Sequence, residues 1–200
     1  MTHATPRALV LGSTSVYRRA LLERLRIPFT VAAPAVDEAT LAGESPEQTA
    51  IRLALAKAHA VAHSRSDSVV IGSDQVADLH GEAIGKPGNF ERACSQLQRM
   101  SGQTVVFHTA VAVVCQAQQF VAQAVVPVRV RFRTLTDAEI RYYLLAETPY
   151  DCAGSAKSEG LGIALLERID NSDPSALVGL PLIETARMLR AAGIPILGSV

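Results

Sequence analysis

Short apolar runs separated by polar turns set the frame of the chain. Residues 8–12 form an apolar stretch that predicts a buried strand. Ser13-Thr14-Ser15 follows with helix-capping chemistry, and the spacing of Leu21, Leu22 and Leu25 predicts a helix to about residue 26 with those leucines inward. A second strand is predicted at 29–33, then a loop at 34–44 that holds Val36-Asp37-Glu38. Ser45-Pro46-Glu47-Gln48 combines a capping box with proline at the first helical position and predicts a helix to about residue 63. Residues 68–72 read as another buried strand, followed by Ser73-Asp74-Gln75 and a shorter strand to Leu79. His80-Gly81-Glu82 is a predicted turn, residues 85–88 a loop, and Asn89 the cap of a helix reaching Met100.

Residues 103–115 and 120–133 are long β-type segments joined by a polar turn, as in a hairpin. Thr136 opens a helix that ends near Glu147, and residues 150–162, small and polar, read mostly as loop. A strand is predicted at 163–168; beyond Asp173-Pro174 a last helix covers 182–192 and stops at Gly193. With no internal repeat or linker-like tract, the pattern predicts a single domain over residues 1–200, α/β in class, with a mixed sheet between helices.

Composition narrows the function classes. Apolar residues make up 48% of the chain, which excludes disorder, and 19 basic residues balance 19 acidic ones. Zero net charge argues against diffuse attraction to nucleic acid or an anionic membrane. Any anionic ligand therefore needs a local cluster. The alternating Arg129, Arg131 and Arg133 share one strand face without interleaved aromatics, the pattern of a solvated sheet face. Cys94, Cys115 and Cys152 are odd in number and widely spaced, as reduced core thiols of a cytoplasmic protein would be. No apolar run approaches the ~18–20 residues that span a bilayer, and residues 8–11 are too short for a signal-peptide core.

Candidate chemistry lies at the junctions. Gly12-Ser13-Thr14-Ser15-Val16-Tyr17-Arg18-Arg19 sets hydroxyls and arginine at a strand-to-helix turn, which suits either an anion or an ordinary N-cap. Asp74 is expected at the carboxyl end of a buried strand, where open α/β sheets place ligands, with Gly72 and Ser73 letting a substrate or metal approach the backbone. Glu38 and Asp74 are then candidates to share a hard cation such as Mg²⁺, the alternative being a turn-capping aspartate and a solvated glutamate. Lys57 falls on the apolar helix face of Ala50, Leu53, Ala54 and Val61, so it either snorkels or pairs with a carboxylate or phosphate. The basic count is lopsided, 16 arginines to three lysines, and Lys57, Lys86 and Lys157 all lie in such candidate segments. A compact ammonium and a planar fork are not interchangeable at a tight anion site.

The ordered set Ser13–Arg19, Val36-Asp37-Glu38, Ser73-Asp74-Gln75, Gly85-Lys86-Pro87, the 153–160 segment and Leu177-Val178-Gly179-Leu180-Pro181 resembles the Maf-like nucleotide pyrophosphatase family. Gln75 and the Lys157-Ser158-Glu159-Gly160 loop look like the subgroup acting on 7-methyl-GTP. The resemblance implies a mixed-sheet α/β fold with a deep cleft, similar to that of inosine triphosphate pyrophosphatase, and cleavage of the α–β phosphoanhydride. It implies a divalent metal, Mg²⁺ or Mn²⁺, held by Glu38 and Asp74, a small-molecule nucleotide as substrate, and a homodimer as in many members; zero net charge and the short apolar runs predict no nucleic-acid or membrane partner. It further implies Asp74 as proton acceptor, Ser13, Arg18, Lys57 and Lys86 on the phosphates, and Tyr17, Gln75 and Glu159 as the residues that set base selectivity. The competing readings are a pyrophosphatase for dTTP, UTP or other non-standard nucleotides, and a non-catalytic nucleotide-binding regulator.

Overall fold

The structure, a computed structural model, describes residues 7–197. Among these, the elements follow as β1 (Leu9–Gly12), α1 (Val16–Glu23), β2 (Thr30–Ala32), α2 (Pro46–Ser64), β3 (Val69–Leu79), β4 (Glu82–Ile84), α3 (Phe90–Met100), β5 (Thr104–Cys115), β6 (Phe120–Phe132), α4 (Asp137–Glu147), β7 (Leu166–Asp170) and α5 (Leu182–Ala191). They build one mixed sheet in the order β2-β1-β3-β5-β6-β7, with β4 alongside β3. β1 runs parallel to β2 and β3, and the other pairings are antiparallel. The mixed α/β sheet between helices is the architecture the sequence predicts. The expected domain span of 1–200 takes in residues 1–6 and 198–200, which lie outside the described residues.

Where a signal is local, prediction and structure agree closely. Ser45 and Thr136 both close reciprocal capping boxes, on Gln48 and Glu139, and each helix begins at the next residue. Asn89 accepts from Arg92 N as predicted. Several boundaries differ for physical reasons. β3 does not break at Ser73-Asp74-Gln75, because pairing with β5 continues from Val70↔Val114 to Asp78↔Val106. The residues after the His80-Gly81 turn fold back as β4. α1 ends at Glu23, and Arg26 takes a left-handed φ of 54°. β7 starts at Leu166, since Leu161–Leu165 form a 3-10 turn first.

Alternation along the strands divides the core. Val70, Ala110, Ala112 and Val114 face α2, which meets them with Ala50, Ala54, Ala58 and Ala62. Ile71, Val111 and Val113 point to the opposite face, under Leu21 and Leu22 of α1 and Met188 and Leu189 of α5. The same face continues through Ala77 and Phe107 under α3 and α4. The alanines let α2 lie close on the sheet, and Gly72 lets it lie closer still. A Cβ at residue 72 would stand 2.2 Å from the Ala54 carbonyl oxygen and 2.5 Å from the Ala58 nitrogen. Gly72 is thus a packing glycine under α2, contrary to the expectation that a ligand approaches the chain there.

The site follows from the pairing register. β5 occupies one edge of β3 throughout, while β1 and β4 share the other. β1 pairs as far as Gly72, and β4 resumes at Ala77. Residues 73–76 therefore have no strand partner on that edge among the described residues. Asp74 and Gln75, on opposite faces of β3, both reach the gap.

Candidate active site

A cleft of about 710 Å³ opens at this gap, and all nine candidate residues line it: Ser13, Tyr17, Arg18, Glu38, Lys57, Asp74, Gln75, Lys86 and Glu159. Its size suits a nucleotide-sized ligand. Asp74 is at mid-strand, yet it stands just past the end of the parallel β1 pairing, so the cleft still meets it.

One wall carries charge. The Lys57 ammonium, 6% exposed, lies 2.7 Å from Asp74 Oδ1 and 2.7 Å from Glu38 Oε1. Pairing, the second of the two readings open for Lys57, is what the structure contains. Partial burial at the cleft wall opposes ionisation of Glu38, but the Lys57 hydrogen bond and charge outweigh it, with Lys86 and Arg18 behind, and hold its carboxyl below the usual range. Arg18 Nε donates to the Gly179 carbonyl at 2.8 Å, and Nη1 reaches Ser13 Oγ at 3.5 Å. No carboxylate bridges Arg18 among the described residues. Burial lowers its pKa, while Asp74 and Glu38 raise it. Ser15 is the N-cap of α1, so the capping reading of the serines holds alongside their place at the cleft. Lys86 is exposed on a loop pinned by Gly88 N donating to Tyr150 O at 3.0 Å.

Residues the sequence reading passed over hold this wall in place. Arg52 of α2 clamps Glu44 through Nε and Nη2 at 2.6 and 2.7 Å and donates to Ala39 O at 2.9 Å. The clamp pulls the Glu44 carboxyl down to about 2 and fixes the loop that carries Glu38. The eight-residue separation of Glu44 and Arg52 across a helix start gives no periodic signal. Ser73, expected to admit a ligand, instead donates its buried hydroxyl to protein carbonyls, with Ala110 O at 2.8 Å and Gly179 O at 3.0 Å.

The other wall is built from turns. Tyr17, in the first turn of α1, lies 3.9 Å from Cys152 Sγ and beneath the Lys157 ammonium, 6.0 Å from the ring centroid. Burial, then Cys152, Asp151 and Glu159, push the Tyr17 phenol up. Burial, followed by Asp151, pushes the Cys152 thiol up to about 11. Cys152 belongs to the cleft wall and not to the core. Lys157 pairs with Glu147 at 3.4 Å, and its backbone N donates to Tyr143 Oη at 3.0 Å, so it shapes the loop that presents Glu159. Glu159 itself is exposed. Gln75 Nε2 is turned onto Thr109 Oγ1 at 2.8 Å and the Leu177 carbonyl at 3.0 Å.

Glu38 and Asp74 converge on a single cation, the Lys57 ammonium, so the two carboxylates face one common spot. Two carboxylates are the hard donor set that Mg²⁺ or Mn²⁺ takes, with water and phosphate oxygens completing the shell. No group of three or more His, Cys, Asp or Glu gathers among the described residues, so the remaining ligands would come from water and substrate. The histidine pair His59 and His63 is on the exposed side of α2. No described helix is long and apolar enough to cross a membrane.

The chain is similar to known proteins along nearly its whole length. The family model described as Maf-like protein matches residues 8–192. The chain is 64% identical over 199 residues, the full length of both proteins, to a 7-methyl-GTP pyrophosphatase of Albidiferax ferrireducens. It is 66% identical over 190 residues, 95% of this chain and 87% of the relative, to one of a Polaromonas species. A third from Paraburkholderia xenovorans is 58% identical over 97% of this chain and 96% of its own length. A match over residues 8–192 and full-length relatives of this identity show that the chain belongs to the Maf-like proteins.

Proposed function

We propose that the protein is a nucleoside triphosphate pyrophosphatase that hydrolyses 7-methyl-GTP to 7-methyl-GMP and pyrophosphate. The observation that carries this reading is the charged wall. A buried carboxylate, Asp74, stands beside Lys57 and near the guanidinium of Arg18, which has no carboxylate partner among the described residues, in a cleft of nucleotide size. Relatives at 58–66% identity bear the name of that activity.

Anhydride cleavage needs an oriented water, a base for its proton, and positive charge where phosphate charge develops. Asp74 takes the proton of the attacking water. Ser13, Arg18, Lys57 and Lys86 hold the phosphate oxygens, Lys57 turning from its carboxylates toward the substrate. A divalent metal held by Glu38 and Asp74 would supply Lewis-acid charge neutralisation. Tyr17 stacks on the base, and Glu159 opposes the positive charge that methylation places on guanine.

Pyrophosphate release from 7-methyl-GTP, GTP, dTTP, UTP and ITP, with Mg²⁺ or Mn²⁺, tests the reading. The highest kcat/KM is expected for 7-methyl-GTP. A preference for dTTP or UTP, or nucleotide binding without pyrophosphate release, overturns it.

A further inference from the structure

Thr109 of β5 stands opposite Gln75 of β3 in the antiparallel register and is fully buried. Its oxygen accepts the Gln75 Nε2–H at 2.8 Å, and its own proton goes to the Ala176 carbonyl at 2.9 Å. Gln75 Nε2 also lies 3.0 Å from Leu177 O and 3.1 Å from Ala176 O. Backbone carbonyls only accept, so the end of the amide that faces them is the NH2 group. The amide orientation is thereby settled by chemistry and not by the similar shapes of its two ends. Gln75 Oε1 has no hydrogen-bond partner among the described residues and is not sealed from solvent, while Gln75 lines the cleft.

We infer that Thr109 is a positioning residue for base selection: its hydroxyl, whose proton is given to Ala176 O, can only accept from Gln75, and together with the Ala176 and Leu177 carbonyls it holds the amide so that only an acceptor, Oε1, is offered to the base. The inference rests on the reading of the cleft as a nucleotide site and deepens it. Glu159, when ionised, also only accepts. A base wall made of acceptors fits the guanine edge, where N1–H and the exocyclic amine are adjacent donors. Adenine places an acceptor at N1 and a carbon at C2, so it would leave protein acceptors unpaired, and sites built to bond a partner reject analogues that lack it. Both purines offer Tyr17 the same ring area, so their comparison isolates the edge.

The residues 176–178 turn that Thr109 and Gln75 hold leads into Gly179, whose φ of 120° suits glycine and whose carbonyl takes Arg18 Nε. A purely structural role for Thr109 would loosen this turn and Arg18 and so slow every nucleotide alike. The discriminating readout is thus the ratio of kcat/KM for GTP over ATP, with kcat and KM resolved, in wild type, Thr109→Val and Thr109→Ser. Wild type should favour GTP by about a hundredfold or more. Thr109→Val should cut the ratio by about tenfold, mostly through KM, since the part-buried Gln75 Nε2 and the buried Ala176 carbonyl each lose a partner. Thr109→Ser, which keeps the hydroxyl, should restore it to within about twofold. Gln75→Met, which removes Oε1 at similar length, should lower the ratio at least as far and keeps the test open if Thr109→Val does not fold. Equal turnover of GTP and ATP by wild type, an unchanged ratio in Thr109→Val or Gln75→Met, or serine behaving as valine would overturn the inference. Should no nucleotide release pyrophosphate, the proposed function fails, and calorimetric GTP and ATP binding by the same proteins still decides the role of Thr109.

Discussion

The two walls of the cleft solve different problems with different materials. The charged wall is mounted on long regular elements: Lys57 on a 19-residue helix, Asp74 in the middle of an 11-residue strand. Its key groups are buried and ion-paired. The base wall sets Tyr17 of α1 and Gln75 of β3 against short turns at 151–159 and 176–179, with Glu159 exposed and Tyr17 half-buried. Burial strengthens each electrostatic contact on the first wall. Exposure weakens the charge contact of Glu159 on the second, so discrimination there depends on shape and on hydrogen bonds such as that of Gln75. The difference teaches where substitutions should abolish the reaction and where they should only redirect it.

The comparison breaks if the largest effect is not on the charged wall. Asp74→Asn should lower kcat by about a thousandfold with little change in fold, measured by pyrophosphate release beside circular dichroism. Near wild-type turnover would remove Asp74 as the base. Lys57→Met should leave the Asp74 carboxylate buried without its partner and cost about 3 kcal/mol in chemical denaturation. Gly72→Ala tests the mounting itself: its Cβ meets backbone of α2, so a loss of about 2–3 kcal/mol and a falling activity should appear together. On the base wall, Glu159→Gln should leave the enzyme active and reduce the preference for 7-methyl-GTP over GTP by about fivefold, as befits an exposed charge contact. A loss comparable to that of Asp74→Asn would erase the distinction between walls.

The smallest effect concerns pH. The Arg52 clamp depresses the Glu44 carboxyl to about 2 in the folded chain, against about 4.3 unfolded. A depressed folded pKa contributes stability above the unfolded value and loses it as pH falls through the folded one. Wild type and Glu44→Gln should therefore differ by a constant denaturation midpoint above about pH 5, and the gap should close between about pH 4 and pH 2.

What could be read in advance was what neighbours in the chain decide. The capping boxes at Ser45 and Thr136 set helix starts, because both partners lie within four residues. Lys57 stood out because an ammonium on a small, apolar face must either snorkel or find a partner, and the nine candidate residues do share one cleft. Distant contacts were not legible. Nothing around Ser73 shows that β5 will carry β3 past it, or that Gly72 is consumed by α2. Thr109, Glu147 and Arg52 look ordinary until the fold brings them to Gln75, Lys157 and Glu44.

The scarcity of lysine has a consequence for chemical labelling. Lys57 and Lys86 line the cleft, and Lys157 lies over the ring of Tyr17 beside it. Every side-chain amine of the protein therefore borders the same opening. Among the side chains, acylating reagents, aldehyde fixatives and amine-coupled supports address this protein at its cleft, with exposed Lys86 modified first and Lys57 shielded by its two carboxylates. Immobilisation for binding work is better routed through another chemistry, and the rate of Lys86 acylation becomes a direct gauge of cleft occupancy.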